Sequence, residues 1–256
     1  MFEAERKRII LELLKENSRV DIQGLNRILK ASESTIRRDL RELEDNNLLK
    51  RTHGGAISLQ NVNFEPTFLE KEISNGGMKK AIAEKAADFI RDGDVILLDS
   101  GTTVHYLAKE LKRFKKLTVV TNAIPVAQEL QHHDGVELVF LGGTLRKGIL
   151  SLVGPFAEMV LGMLRVDKAF IATNAIHPEH GLSTPNIDEA NIKRRMIESA
   201  KKTILLADAS KIGEMSLVKF ADLNDIDIFV TDDRAAKDML SGFMNQGVVI
   251  HTISGE

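Results

Sequence analysis

The chain has 256 residues, 43% of them hydrophobic and 28% charged, with a formal net charge of −2 and no cysteine. That length favours two domains over one core, the lack of cysteine excludes disulfides and thiolate metal sites, and the near-neutral balance excludes a polycation that coats nucleic acid indiscriminately. No run of 18 apolar residues occurs, and acids interrupt the start Met1-Phe2-Glu3-Ala4-Glu5-Arg6 where a signal peptide is basic and then apolar, so a cytoplasmic protein without a membrane span is expected.

Phe2, Ile9, Ile10, Leu13 and Leu14 recur at helical spacing and predict a first helix, broken at Asn17-Ser18-Arg19. Asp21 is placed to cap a second helix carrying Ile22, Leu25, Ile28 and Leu29. After the turn at Ala31-Ser32, a third helix is expected from about Glu33 to Asp45, with Ile36, Leu40 and Leu43 inward. That leaves Ser34, Thr35, Arg37, Arg38 and Arg41 on or near the outward side. Leu48 to His53 reads as a strand, with Gly54-Gly55 as the turn of a wing.

Residues 1–56 hold 12 Lys/Arg against 10 Asp/Glu, a net charge of only +2, so placement matters more than excess. The cations gather on the third helix and the hairpin: Arg37, Arg38, Arg41, Lys50 and Arg51. A helix of this width fits the major groove of DNA, where arginine bonds guanine edges or phosphates. The competing reading is a solvated helix whose arginines pair with Glu42, Glu44 or Asp45.

Residues 58–77, with Pro66 and Gly76-Gly77, read as a connector, partly extended. From residue 78 to 256 helices alternate with short apolar runs: Val95–Leu98, Leu117–Val120, Val136–Leu141, Ala169–Ala172, Thr203–Ala207, Ile228–Val230 and Val248–Ile250. This pattern predicts a mostly parallel α/β sheet, whose ligands bind beyond the carboxyl ends of the strands. Polar clusters fall at those ends: Asp99-Ser100-Gly101-Thr102-Thr103 opening a helix, Thr121-Asn122, Gly142-Gly143 with Arg146 and Lys147, Asp208 with Ser210-Lys211, and Thr231-Asp232. Each alone is an ordinary cap or turn. Together they supply the N–H donors, hydroxyls and cations that a phosphate carrying a polyhydroxyl group requires.

Two sets of residues carry a resemblance. Ser32, Thr35-Ile36-Arg37-Arg38-Asp39-Leu40, Leu43, Arg51 and His53-Gly54-Gly55-Ala56 resemble the winged helix-turn-helix of the DeoR family of bacterial transcriptional regulators. The second set resembles that family's sensor domain: Asp99 to Thr103, Thr121-Asn122, Leu141-Gly142-Gly143, Gly154, Asp167, Gly181 to Pro185, Glu189-Ala190, Lys193 and Asp208 to Lys211. The resemblance covers essentially the whole chain. It implies an N-terminal winged helix-turn-helix (1–57), a linker (58–77) and a larger α/β sensor domain (78–256) related to ribose-5-phosphate isomerase, with a phosphorylated sugar as effector. Asn46-Asn47 departs from the glycine usual in the family, and Asn174 stands where many relatives have glycine.

On this reading the chain is a sequence-specific repressor of a sugar-metabolism operon and not an enzyme. Ser32, Ser34, Thr35, Arg37, Arg38, Arg41, Lys50, Arg51 and His53 are expected to contact double-stranded operator DNA. Asp99, Ser100, Gly101, Thr102, Thr103, Thr121, Asn122, Gly142, Gly143, Arg146, Lys211 and Asp208 are expected to bind the effector, and the resemblance adds Glu189 and Lys193. A homodimer or homotetramer is expected, since paired half-sites multiply the affinity of one head. The rival is an isomerase-like enzyme with an accessory DNA-binding head, using Glu189 or Asp208 as base. No cofactor is expected. His132-His133 and His177-Pro178-Glu179-His180 could bind metal, but such histidine pairs are far more often surface loops than the three- or four-ligand sets zinc needs, so no metal is expected either.

Overall fold

The computed structural model describes residues 2–46, 48–52, 54–58 and 65–254. The chain divides into two compact domains, Met1–Pro66 and Thr67–Glu256.

The N-terminal domain runs α1 (Glu3–Asn17), β1 (Arg19–Asp21), α2 (Ile22–Leu29), α3 (Glu33–Asp45), β2 (Lys50–Thr52) and β3 (Gly55–Ile57). Asp21 caps α2 by accepting from Gly24 N at 2.7 Å. The three strands form a small sheet in the order β1-β3-β2. β3 must be glycine at its start, because a Cβ on Gly55 would lie 1.9 Å from the Val20 carbonyl oxygen. Ile10, Leu14, Leu25, Leu29, Ile36, Leu40, Leu43 and Leu49 make the core. Phe2 and Ile28, expected inside by spacing, are exposed: Phe2 precedes the first helical turn, and Ile28 lies off the stripe formed by Ile22, Leu25 and Leu29. Asn46 closes α3 with its side-chain amide on Glu42 O (2.6 Å) at φ −90°, so it does not take the left-handed conformation; Asn47 lies outside the described residues.

The second domain begins with α4 (Phe68–Ile73) and α5 (Gly76–Ala87). Both start inside the segment read as a connector. α4 carries a capping box between Thr67 and Glu70 and is anchored by buried Phe68, whose N–H donates to Gly148 O at 2.8 Å. Then follow β4 (Val95–Leu98), α6 (Thr102–Glu110), β5 (Leu117–Thr121), α7 (Ile124–Leu130), β6 (Val136–Phe140), β7 (Thr144–Arg146), β8 (Ser151–Val153), α8 (Pro155–Met163), β9 (Lys168–Ala172), β10 (Ala175–His177), β11 (Gly181–Thr184), α9 (Ile187–Ser199), β12 (Thr203–Leu206), β13 (Val218–Ala221), β14 (Ile228–Asp232), α10 (Lys237–Met244) and β15 (Val249–Ile253).

Seven strands form the central sheet, all parallel, in the order β15-β14-β12-β9-β4-β5-β6. These are the seven apolar runs read from the sequence. Alternate residues feed two cores. Leu97, Val120, Ile171, Leu205 and Phe229 pack with α8, α9 and α10, while Ile96, Val119, Phe170, Ile204 and Val230 pack with α5, α6 and α7. Burial on both faces is what makes the strands continuously apolar. The chain moves from β4 to β5 and β6 on one side, then returns to β9, β12, β14 and β15 on the other. The order therefore reverses between β4 and β9, where doubly wound sheets open a crevice beyond the carboxyl ends. Antiparallel pieces flank it: the β7–β8 hairpin and the β10-β11-β13 sheet. Among the described residues no helix is long and apolar enough to cross a membrane.

Candidate functional site

In the N-terminal domain, α3 presents the predicted basic face. Ser32 caps the helix, its Oγ accepting from Thr35 N at 3.2 Å and lying 2.9 and 2.8 Å from the hydroxyls of Ser34 and Thr35. Ser34, Arg37, Arg38 and Arg41 are exposed, and Thr35 is half-buried. Arg37 lies 3.9 Å from Glu33, and Arg38 lies 4.0 Å from Glu3 and 3.9 Å from Glu42. Exposed pairs at such separations are weak and leave the guanidinium groups exchangeable. Arg41 makes no ion pair among the described residues.

Lys50 and Arg51 are exposed on β2. Arg51 is tied to the end of α3, because Glu44 accepts from both its backbone N (2.7 Å) and its Nε (2.6 Å). Burial pushes the Glu44 carboxyl up, and the bonds from Arg51 outweigh that and hold it below its ordinary range. His53 lies outside the described residues. Behind α3, Arg6 of α1 reaches Asp39 with two hydrogen bonds, Nε to Oδ2 at 2.7 Å and Nη2 to Oδ1 at 3.0 Å. The signal for this pair was in the pattern: Arg6 shares the inward stripe of Ile10 and Leu14, and Asp39 that of Ile36 and Leu43.

In the second domain, the predicted residues fall at the carboxyl edge of the sheet. Register places Leu98 beside Thr121, Thr121 beside Phe140, Leu98 beside Phe170, and Ala172 beside Leu206. Asp99 and Asp208 therefore follow strands two apart, on the order of 10 Å across the edge. Asp99 is fully buried at the point where the strand order reverses. Its Oδ1 accepts from Ser100 N (2.7 Å), and its Oδ2 accepts from Ala172 N (2.9 Å) and from Lys193 Nζ. Lys193, itself buried, also donates to Ala172 O (2.9 Å) and lies 3.5 Å from Glu189 Oε1, one turn earlier on α9. Glu189 in turn accepts from Arg146 Nη1 of β7. Four predicted residues thus form one chain of alternating charge: Asp99, Lys193, Glu189, Arg146.

Gly101 sits where a Cβ would come within 2.7 Å of the Ala172 Cβ. Ser100, Thr102 and Thr103 are buried around the first turn of α6. Thr121 is committed within the fold, its hydroxyl donating to Leu98 O (2.7 Å) and accepting from Ala123 N (3.1 Å). Asn122 donates from Nδ2 to Leu152 O (2.9 Å), while its Oδ1 is buried without a hydrogen-bond partner among the described residues, as is Ser151 Oγ. Gly142 is exposed. Gly143, at φ +140°, lets the hairpin close, since a Cβ there would stand 2.6 Å from Val153 O. Asn174 accepts from the Thr184 hydroxyl at 3.3 Å.

At the β12 end, Asp208 accepts from Ser210 N and from Asn75 Nδ2, each at 3.1 Å, and Lys211 is half-buried in the following turn. Asp232, at the end of β14, accepts from Ala209 N (2.8 Å) and from Arg234. Burial raises its carboxyl, and these bonds prevail and hold it low.

Lys79 of α5 escaped the sequence reading. It is buried, donates to Lys71 O and to Ser74 O (2.5 Å), and feels both Asp208 and Lys211. Burial pushes its ammonium down to about 8 against the pull of Asp208, with Lys211 and Lys71 adding to the fall. The phase of α5, which buries residues 79, 82, 83, 86 and 87, separates it from exposed Lys80. Among the described residues no three metal-ligating side chains gather.

Residues 6–62 match the DeoR-like helix-turn-helix domain, and residues 74–233 match the DeoR C terminal sensor domain. The chain is 42% identical over 250 residues to the HTH-type transcriptional regulator GlpR of Haloferax volcanii, spanning 98% of each. It is 38% identical over 239 residues to the HTH-type transcriptional repressor GlcR of Bacillus subtilis, spanning 91% of this chain and 89% of that one. A solved structure of ribose 5-phosphate isomerase A from Methanocaldococcus jannaschii aligns at 18% identity and a TM-score of 0.40, over 54% of this chain and 55% of that one. With both of its domains matched and a relative of this identity along nearly its full length, the chain belongs to the DeoR family of transcriptional regulators.

Proposed function

We propose that this protein represses a sugar-metabolism operon in the cytoplasm, and that a phosphorylated sugar bound at the carboxyl edge of the sheet controls its grip on operator DNA. The observation that carries the effector half is the pair of buried cations at that edge. Lys193 and Lys79 both lie out of solvent, and the unpartnered Asn122 Oδ1 and Ser151 Oγ belong to the same end of the sheet. A phosphate is suited to the first turn of α6, with its free N–H groups and the hydroxyls of Ser100, Thr102 and Thr103. Lys79 and Lys211 supply its counter-charges, and the sugar hydroxyls have Asp99, Glu189, Arg146, Asn122 and Asp208 as partners. Gly142 and Gly143 lie on the hairpin approach to this edge.

α3 enters the major groove with Ser34, Arg37, Arg38 and Arg41, while Lys50, Arg51 and His53 meet the backbone from the wing. Ser32 and Thr35 contribute at the helix N-terminus. The acting species is a homodimer or homotetramer on paired half-sites. Effector coupling of about 1–3 kcal/mol suffices to change occupancy 5–150-fold.

The isomerase reading gains no support. Glu189 is engaged by Arg146 and Lys193, and Asp208 by Asn75 and Ser210, so neither carboxylate is poised as a free base. Pentose phosphates are expected to show no turnover.

The test is a thermal-shift panel of sugar phosphates, each beside its unphosphorylated parent. At 100 times its dissociation constant the effector stabilises by about 2.7 kcal/mol. A shift from one ester, absent with its parent and lost in Thr102→Glu, is the expected result. A panel of esters covering the common hexose, pentose and triose phosphates with no shift would sink the effector assignment.

A further inference from the structure

Among the described residues of the N-terminal domain, the buried charged side chains are Arg6 and Asp39. Asp39 has no exposed surface and Arg6 little, and the two meet through a two-pronged hydrogen bond between α1 and α3. A buried ion pair is a poor source of stability: desolvation offsets its attraction, and well-packed apolar replacements are often neutral or stabilising. What it has and an apolar contact lacks is direction. Hydrophobic burial follows area and tolerates small rotations, whereas a planar guanidinium fork on a carboxylate fixes both partners in angle.

The direction matters because of where Asp39 sits. At about 100° per residue, Arg37 and Arg41 lie about 160° around α3 from Asp39, one on either side of the line opposite to it. The tether is thus directly behind the two arginines. Arg38 lies only about 100° away, over the α1 edge, where Glu3 stands 4.0 Å from it and where Lys7 joins Glu3 and Glu42. Rotating α3 by about 20° moves a side chain some 6 Å from the axis by about 2 Å, which exceeds the tolerance of a hydrogen bond to a base edge.

We infer that the Arg6–Asp39 pair is a positioning device for DNA reading: it sets the rotation of α3 so that Arg37 and Arg41 address the groove, and it serves base discrimination in preference to stability. Arg6 and Asp39 are positioning residues that touch no DNA themselves. The inference rests on the reading of α3 as the groove-entering helix.

The experiment uses the full-length chain with two apolar-for-ionic changes together, Arg6→Met and Asp39→Leu, and separately Arg6→Lys, which keeps the charge and loses the fork. The probes are a 30-base-pair duplex selected by the wild-type protein from a random library and a scrambled duplex of the same composition. Melting temperature and affinity for both are measured at two salt concentrations. The double variant is expected to melt at or above the wild-type temperature, to hold scrambled DNA as the wild type does with the same salt dependence, and to lose at least tenfold in preference for the selected duplex. Arg6→Lys is expected to fall between. Wild-type preference in the double variant overturns the inference. If the double variant does not fold, Arg6→Lys decides: a preference lost only in proportion to lost stability assigns the pair a merely structural role and overturns it too. Arg41→Ala and Arg37→Ala separate the two readings. If neither weakens binding to the selected duplex, α3 is not the reading helix, whatever the pair does.

Discussion

Lys193 Nζ lies against Asp99 Oδ2 with both side chains out of solvent, joining the middle of α9 to the end of β4 in the central sheet. Removing one partner of such a pair leaves a charge buried without its counter-ion. Lys193→Met is expected to cost about 3–5 kcal/mol, read as a lower urea midpoint, and to abolish the sugar-phosphate thermal shift. Adding Asp99→Asn should restore much of the stability and none of the shift. A double variant no more stable than the single one contradicts this account.

Lys79 predicts an alkaline signature. Its folded pKa, about 8, lies below the ordinary 10.5. Below pH 8 the lysine is charged in both states, and the full cost of burying that charge is present. Between about 8 and 10.5 the unfolded chain binds more protons than the folded one, so this residue's contribution to stability rises with pH. Lys79→Met removes the effect. The difference in melting temperature between wild type and variant should therefore shift in favour of wild type as pH goes from 7 to 9.5, by the equivalent of about 1–3 kcal/mol. A pH-independent difference would refute it. Sugar-phosphate affinity should fall over the same range in wild type.

Ser32 separates helix capping from DNA contact. Ser32→Ala removes the acceptor for Thr35 N and is expected to cost about 1 kcal/mol of N-terminal-domain stability. Ser32→Asp keeps the cap and adds a negative charge at the helix start. If Ser32 also lies on DNA, the aspartate variant melts normally and binds operator more weakly. Equal binding by wild type and Ser32→Asp would confine Ser32 to the cap.

The wing is expected to act through phosphate. Arg51→Ala should weaken operator and scrambled DNA alike and lower the slope of log affinity against log salt by about 1. Glu44→Gln, which loosens the hold on Arg51, should weaken binding less. A sequence-selective loss in Arg51→Ala would move that residue from backbone to base contact.

The central sheet was legible because its strands are buried on both faces and read as short, unbroken apolar runs. The small strands were not. β7, β8, β10, β11 and β13 are three or four residues each, of mixed polarity, and exist only by pairing with distant partners. α4 was hidden by its six-residue length, although the spacing of Thr67 and Glu70 that forms its capping box is a readable signal. For the candidate site, strand-end logic picked out Asp99, Asp208 and the α6 turn. Periodicity alone would not have joined Glu189 and Lys193 to them, since α9 reaches Asp99 across 94 positions of sequence. Lys79 was overlooked because a Lys-Lys pair reads as surface until helix phase divides it.

The order in which the chain is made gives the sheet's topology a consequence in time. The compact N-terminal domain, with its own apolar core, is complete by Pro66. The carboxyl edge draws on β4, β9 and β12, so it cannot close until Lys193 and then Asp208 have been added. At roughly 5–20 residues per second, a nascent chain carries its arginine helix for several seconds or more before that edge is closed. For that interval each new molecule holds a finished helical head and an open sheet edge.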